Sequence, residues 1–469
     1  MTQTLSPEAQ GTDNTKRPIS RALAMLLCLI PASYFILIAG YAALNFSEYG
    51  ADVPRFLRYI GAPLAIAGLL IYAGRKLSPP RAANVGLISA AALFALLIIE
   101  IILNARLLFA IFNMVGMLAP EGGAEDAAVR GQSNLPPMFS SKQIQSDLDI
   151  KALDQSVLAG APNQEVLLCA NEGAPVYYTA DRYGFNNPDT IYEDTIDLAI
   201  IGDSFVEGHC QFEGDTLLDR MRTLQPRSVS FGIRSGGPLL ELAILGRYAS
   251  HYEPDYVVMA FFEGNDWQNL ERETQMEWLM PALEEDVDFG EPELTEDQKA
   301  AIDTLFQDWW SRQVSPTNVL TKSSFLRNVI ALNEVWSVLG LDYPRVSKKQ
   351  PIYSDILARS KELTEQWGGK FALVYIPQDV RYRGLLNKSF VYDQLRGDVL
   401  AAAEANGIEV IDLTDIFARS EDPTALYAPD AHFSPEGAQV AAEAINEWVV
   451  SQGGVKQETN ADASPQSGS

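Results

Sequence analysis

Apolar residues crowd the first quarter of the chain, then give way to short apolar runs set among polar ones. Ala22–Leu44 is uncharged, Phe56–Gly74 carries Arg58 near its start, and Ala82–Asn104 holds a single acid, Glu100. A helix needs about 20 apolar residues to cross a bilayer. Three such runs in succession, parted by short charged loops, predict membrane spans rather than buried core helices. The first run is not expected to be a signal peptide, because further spans follow it. Arg106–Leu118 is expected either to continue the third helix or to lie at the interface.

Beyond the spans the rhythm changes. Residues 119–139 are rich in Gly, Ala and acids and read as a linker. Residues 140–195 form a polar lead-in, with a turn expected at Asp181–Pro188. Five short apolar runs follow: Asp197–Ile201, Ser228–Ile233, Tyr256–Phe262, Phe371–Ile376 and Ile408–Leu413. Each is bounded by turn residues, as buried parallel strands are. Helices are expected over Thr216–Leu224, Pro238–Tyr252, Ile352–Trp367, Tyr392–Ala405 and Ser434–Val450. Strand–helix alternation of this kind predicts an α/β domain built on a doubly wound, five-stranded parallel sheet. The domain is expected over 140–451, with residues 267–350 as an insert forming either a cap over the site or a peripheral decoration. That insert carries Trp267, Trp278, Trp309, Trp310 and Trp336. Residues 1–18 and 452–469 read as disordered tails.

Charge sharpens this division. The chain holds 35 basic and 61 acidic residues, a net charge of −26. The first 110 residues carry nine basic and five acidic residues, so the remainder sits near −30. Such a domain repels polyanions, which argues against a nucleic-acid role. Lys16, Arg17 and Arg21 precede the first span, and Arg75, Lys76 and Arg81 lie between the second and third. Basic loops stay in the cytoplasm. The N-terminus is therefore expected inside and the α/β domain on the outer, periplasmic side of the inner membrane. Arg55 and Arg58 fall in the loop this places outside.

Three polar blocks lie at expected strand ends. Gly202-Asp203-Ser204-Phe205 follows the first strand, Glu263-Gly264-Asn265-Asp266 the third, and Asp430-Ala431-His432 the last. In open α/β sheets the carboxyl ends of the strands form the ligand crevice. Ser204 there can act as nucleophile and His432 as its base, with Asp430 holding the ring. Asn265 can offer an amide N–H to a developing oxyanion. His209 lacks a paired acid, and His251 follows an expected surface helix and reads as structural. Asp203 and Asp266 are expected to brace loops. Val206 stands where a nucleophile elbow has its second glycine, which argues against an α/β-hydrolase.

These three blocks, in this order, resemble the SGNH/GDSL hydrolases over roughly residues 180–450. The resemblance implies a flavodoxin-like fold, an acyl-serine intermediate and no cofactor or metal. It implies oxyanion donors at the Ser204 backbone, Asn265, and a backbone N–H after the second strand, at either Ser235 or Gly236. Many such proteins carry the acid three residues before the histidine; here that position is Pro429. The expected activity is a membrane-anchored serine esterase acting on O-acetyl groups of an envelope glycan. The alternatives are an O-acyltransferase working with an acyl-donor membrane partner, a lysophospholipid esterase, and a glycan-binding module without chemistry. Cys169 and Cys210 both fall in the outer domain, where an oxidising compartment lets them pair or leaves them free. Cys28 lies within the first span.

Overall fold

The computed structural model describes residues 19–50, 53–118, 151–171, 174–302, 304, 328–339, 349–383 and 388–454. Both expected tails, save residues 452–454, and the whole linker lie outside these residues. So do Trp309 and Trp310. The chain divides into two compact units: residues 1–107 with 322–338, and residues 108–321 with 339–469.

The first unit holds three helices long and apolar enough to cross a membrane, over Arg21–Leu44, Leu57–Lys76 and Pro79–Asn104. Helix α1 (Arg21–Leu44) starts where Ser20 caps the Leu23 N–H. Helix α2 (Ala62–Lys76) is preceded by a π-turn over Leu57–Gly61. Helix α3 runs unbroken over Pro79–Leu118, so Arg106–Leu118 continues the third span's helix. Small residues let the helices approach closely: a Cβ on Gly86 would stand 2.5 Å from the Leu27 backbone.

The second unit opens with an antiparallel hairpin, β1 (Glu165–Asn171) and β2 (Ala174–Thr179), inside the stretch expected to be a polar lead-in. The core sheet then forms in the order β4-β3-β5-β6-β7. Its strands are β3 (Leu198–Gly202), β4 (Ser228–Gly232), β5 (Tyr256–Phe262), β6 (Lys370–Ile376) and β7 (Glu409–Asp412). All neighbouring pairs are parallel. Alternate side chains feed two cores, as the pleat requires. Ala199, Ile201, Val257, Met259 and Leu373 face one. Leu198, Ile200, Val258, Ala372 and Val374 face the other. With both faces covered, the strands read as continuous apolar runs rather than alternating ones.

Between β3 and β4 lie α4 (Ser204–Glu207) and α5 (Leu217–Leu224). Thr216 and Asp219 start α5 with a reciprocal capping box. Helix α6 (Pro238–Ile244) is buried on every side and passes through a π-turn at Leu245–Ala249. Helix α7 (Asp266–Glu273) follows β5. Helix α8 (Asn333–Val338) belongs to the first unit, although its residues were expected within the insert of the α/β domain. Helices α9 (Tyr353–Gln366), α10 (Ser389–Ala405) and α11 (Pro435–Ser451) complete the fold. Trp267 was expected in the insert, as part of a cap or a peripheral decoration, but it is buried against Phe261 and Tyr353 and belongs to the core.

Glycines at two strand ends seat the turn after β3. A Cβ on Gly202 would stand 2.6 Å from the Val206 side chain, and one on Gly232 only 2.3 Å from the Glu207 backbone nitrogen. The second contact is with backbone and cannot be relieved by a rotamer change. Gly232→Ala should therefore lower stability by about 1–3 kcal/mol through overpacking and reduce whatever activity the turn supports. Gly397→Ala, in α10 with nothing within 4 Å of its Cβ, should raise stability by about 0.5–1 kcal/mol. Thermal unfolding of the purified variants checks both signs.

Candidate active site

Ser204 is the first residue of α4, directly after β3. Asp203 caps this turn by accepting from the Phe205 N–H at 3.0 Å. The turn ends at Gly208 in the left-handed region, φ +83°. The Ser204 N–H has no acceptor among the described residues. Its side chain is almost enclosed, at 8% exposure.

His432 comes from a tight reversal near the C-terminal end. Tyr427 and Phe433 form an antiparallel bridge, and the Ala428 N–H donates to the His432 carbonyl at 2.8 Å. Ala431, between Asp430 and His432, sits at φ +71°, a strained position for a residue with a Cβ. The reversal is tied down by the Tyr427 hydroxyl, which donates to the Pro377 carbonyl at 2.7 Å. Gln211 reaches across from the serine side and donates to the Phe433 carbonyl at 3.1 Å. Phe205 packs against both His432 and Phe433, with ring centroids 4.9 and 4.7 Å apart.

These elements bring the first and third sequence blocks together. His432 Nε2 lies 2.8 Å from Ser204 Oγ. Its Nδ1 lies 3.2 Å from Asp430 Oδ2, and its backbone N–H donates to Asp430 Oδ1 at 3.2 Å. Burial raises the Asp430 carboxyl, but the bond to His432, that ring's charge and the neighbouring His209 outweigh it. The group therefore ionises more readily than an ordinary aspartate.

Asn265 stands at the N-cap position of α7 but makes no capping bond, and its side-chain oxygen is buried without a partner among the described residues. Asp266 does brace its loop, accepting from the Phe262 N–H at 2.6 Å. After β4, the Gly236 N–H donates to the Ile233 carbonyl at 3.0 Å. The Ser235 N–H has no acceptor among the described residues. Ser235 is exposed and left-handed, φ +60°.

Sequence reasoning missed two buried ion pairs behind these turns. Glu207, three residues after Ser204, pairs with Arg234, just before Ser235, at 2.5 Å; their side chains are 0% and 4% exposed. The Tyr178 hydroxyl, from the β1–β2 hairpin, adds a bond to Glu207 at 3.1 Å. Glu263, two residues before Asn265, pairs with Arg381 at 2.6 Å and accepts from the Tyr375 hydroxyl at 2.6 Å. Charged residues directly after apolar strands were the available signal.

His209 was also set aside in the sequence. Its ring lies 4.6 Å from that of His432, with its Nδ1 buried and unpartnered among the described residues. His209, Asp430 and His432 each offer a ligand atom within 4.8 Å of the others, so this set could hold a metal ion. Cys210, on the same segment, is disulfide-bonded, whereas Cys28 is free. The side chain of Cys169 lies outside the described residues.

A family model described as SGNH hydrolase-like domain, acetyltransferase AlgX, matches residues 359–466, which include Asp430 and His432. Over that stretch the chain is similar to SGNH hydrolase-like domains. Among solved structures it is similar to a lipase/acylhydrolase from Enterococcus faecalis, at 13% identity and a TM-score of 0.31, covering 56% of this chain and all of that one. It is also similar to a variant of an acetyl-xylooligosaccharide esterase from Geobacillus stearmophilus, at 14% identity and a TM-score of 0.29, covering 56% of this chain and 97% of that one. Likeness at these scores does not extend to substrate. No curated protein matches the chain.

The buried His209 imidazole gives this unit a distinctive acid limb. Burial, then the charges of His432 and Arg234, push His209 down to about 3, against an ordinary value of 6.5. Between those values the unfolded chain takes up a proton that the folded chain refuses. The contribution is intact above pH 6.5 and is lost progressively as pH falls toward 3. Urea unfolding midpoints against pH should fall less steeply over that window for His209→Gln than for the unaltered protein. Parallel curves would contradict the assignment.

Proposed function

We propose that this chain is a membrane-anchored serine esterase that removes acyl groups, chiefly O-acetyl, from an envelope glycan through an acyl-serine intermediate. The observation that carries this reading is the 2.8 Å approach of His432 Nε2 to Ser204 Oγ, with Asp430 on the other ring nitrogen. His432 takes the Ser204 proton as Oγ attacks the ester carbonyl. Asp430 fixes the ring and offsets the imidazolium charge that forms. The tetrahedral oxyanion is held by the backbone N–H groups of Ser204 and Ser235 and by the Asn265 amide. Gly236 is the weaker candidate, because its N–H is already given to Ile233. As the intermediate collapses, the C–O bond to the sugar breaks and His432 returns the proton to the leaving alkoxide. Water then attacks the acyl-serine by the same route in reverse.

Anchoring by three apolar helices would keep the enzyme beside envelope substrates. Basic residues before the first span and between the second and third support a cytoplasmic N-terminus and an outer domain.

A second reading has its own support. The family match over residues 359–466 carries an acetyltransferase description. On that reading a carbohydrate hydroxyl replaces water in the second half-reaction, and a separate membrane partner supplies the acyl donor.

Hydrolysis of p-nitrophenyl acetate by the full-length protein separates these roles. Ser204→Ala and His432→Ala should each lower kcat by about 10³-fold or more. Asn265→Ala should lower it about 10²–10³-fold. Unchanged rates in Ser204→Ala would remove the proposal. Adding an oligosaccharide acceptor tests the second reading. Acetylated sugar formed at the expense of free acetate would favour transfer.

A further inference from the structure

Glu100 is a carboxylate in a membrane span, and it is fully buried. Charged groups at such positions are costly and need a partner. Among the described residues no cation pairs with it. Its two oxygens instead accept from the backbone N–H groups of Glu334 and Val335, at 3.0 and 2.8 Å. Asn104, one turn along α3, donates to it at 2.8 Å. The Tyr34 hydroxyl, from the middle of α1, donates to the Ile330 carbonyl at 2.7 Å. The Arg58 guanidinium lies over the Trp336 ring, 5.6 Å from its centroid.

Residues 328–338 thus form part of the membrane unit, as two short helical pieces around a turn at Ala331 and Leu332. Eleven residues are too few to cross a bilayer. Val329, Leu332 and Val335 are buried. Ile330, Trp336 and Val338 are exposed, at 44%, 38% and 71%. Glu334 is the only charged residue in the segment. Apolar side chains of the spans, among them Leu37, Leu69 and Ile102, are likewise exposed.

The backbone at the turn supplies the deciding argument. In hydrocarbon an interrupted helix survives only where its freed N–H and C=O groups find protein partners. The break at Ala331–Leu332 frees an upstream carbonyl and downstream N–H groups, and side chains from two spans meet them. Water would satisfy the same groups without help. Depth agrees: Tyr34 lies 13 residues beyond Arg21, about 20 Å along a helix rising 1.5 Å per residue. That lies in the outer third of a hydrocarbon layer about 30 Å thick, and Glu100, 19 residues beyond Arg81 on α3, lies nearer its outer edge.

We propose that residues 328–338 are a re-entrant, lipid-facing element of the membrane unit, latched by the Glu100 carboxylate. The long insert is thereby tied to the membrane at a second place, far along the chain from the three spans. Its partner is the acyl-chain region of the bilayer that the spans cross.

Spin labels at Ile330→Cys and Val338→Cys test this, in full-length Cys28→Ala protein held in lipid nanodiscs. Asp422→Cys, on an exposed loop, is the aqueous reference. Collision with oxygen relative to a nickel chelate should be several-fold higher at 330 and 338 than at 422. A ratio equal to the reference would overturn the proposal without depending on any Glu100 variant. Glu100→Leu should return the ratio at 338 to the aqueous value, while Glu100→Gln, which keeps one acceptor oxygen, should shift it less. A lipid-exposed 338 in Glu100→Leu would overturn the latch.

Discussion

The Ser204 turn rests on the end of β4, and Gly232 is what allows it to do so. A Cβ there would meet the Glu207 nitrogen at 2.3 Å. The approach is tight enough that the Ser230 hydroxyl donates to the Val206 carbonyl at 3.0 Å. Everything downstream depends on this seat. With α4 held across the strand ends, Ser204 faces the crevice and Phe205 turns inward against Phe262, His432 and Phe433. Phe205, beside Ser204, thus packs against the ring of His432.

Two buried ion pairs then fix the turns that border the serine. Glu207–Arg234 joins the Ser204 turn to the turn carrying Ser235, and Glu263–Arg381 holds the start of the Asn265 turn. Pairs of this kind add little net stability, because desolvation offsets the attraction, but breaking one leaves an isolated buried charge. Their value here is positional. An oxyanion donor displaced by even 1 Å loses much of its effect, so rigid turns matter more than strong ones.

The sheet was legible in the sequence because each strand is a short apolar run between turn residues. The boundaries of β3 to β7 lie within one residue of expectation at nearly every end. The β1–β2 hairpin was not, because its strands are mixed in polarity and pack on a small satellite cluster with Leu294 and Ile302. Ser204 and His432 were picked out in the sequence from the blocks they sit in, the resemblance those blocks carry and their positions after expected strands. Glu207, Arg234 and His209 were not, since their partners are fixed only when loops 27 or more residues apart in sequence meet. Glu100 was visible as an oddity in an apolar run, but besides Asn104 its partners lie 234 and 235 residues away on backbone N–H groups, which no side-chain pattern reports.

The central claim is that Ser204 is an activated nucleophile. Intact-mass measurement after treatment with a fluorophosphonate tests it without knowledge of the natural acyl acceptor. The account predicts one adduct per chain, absent in Ser204→Ala and formed far more slowly in His432→Ala. A well-folded protein that takes up no label, or an adduct that persists in Ser204→Ala, would contradict it.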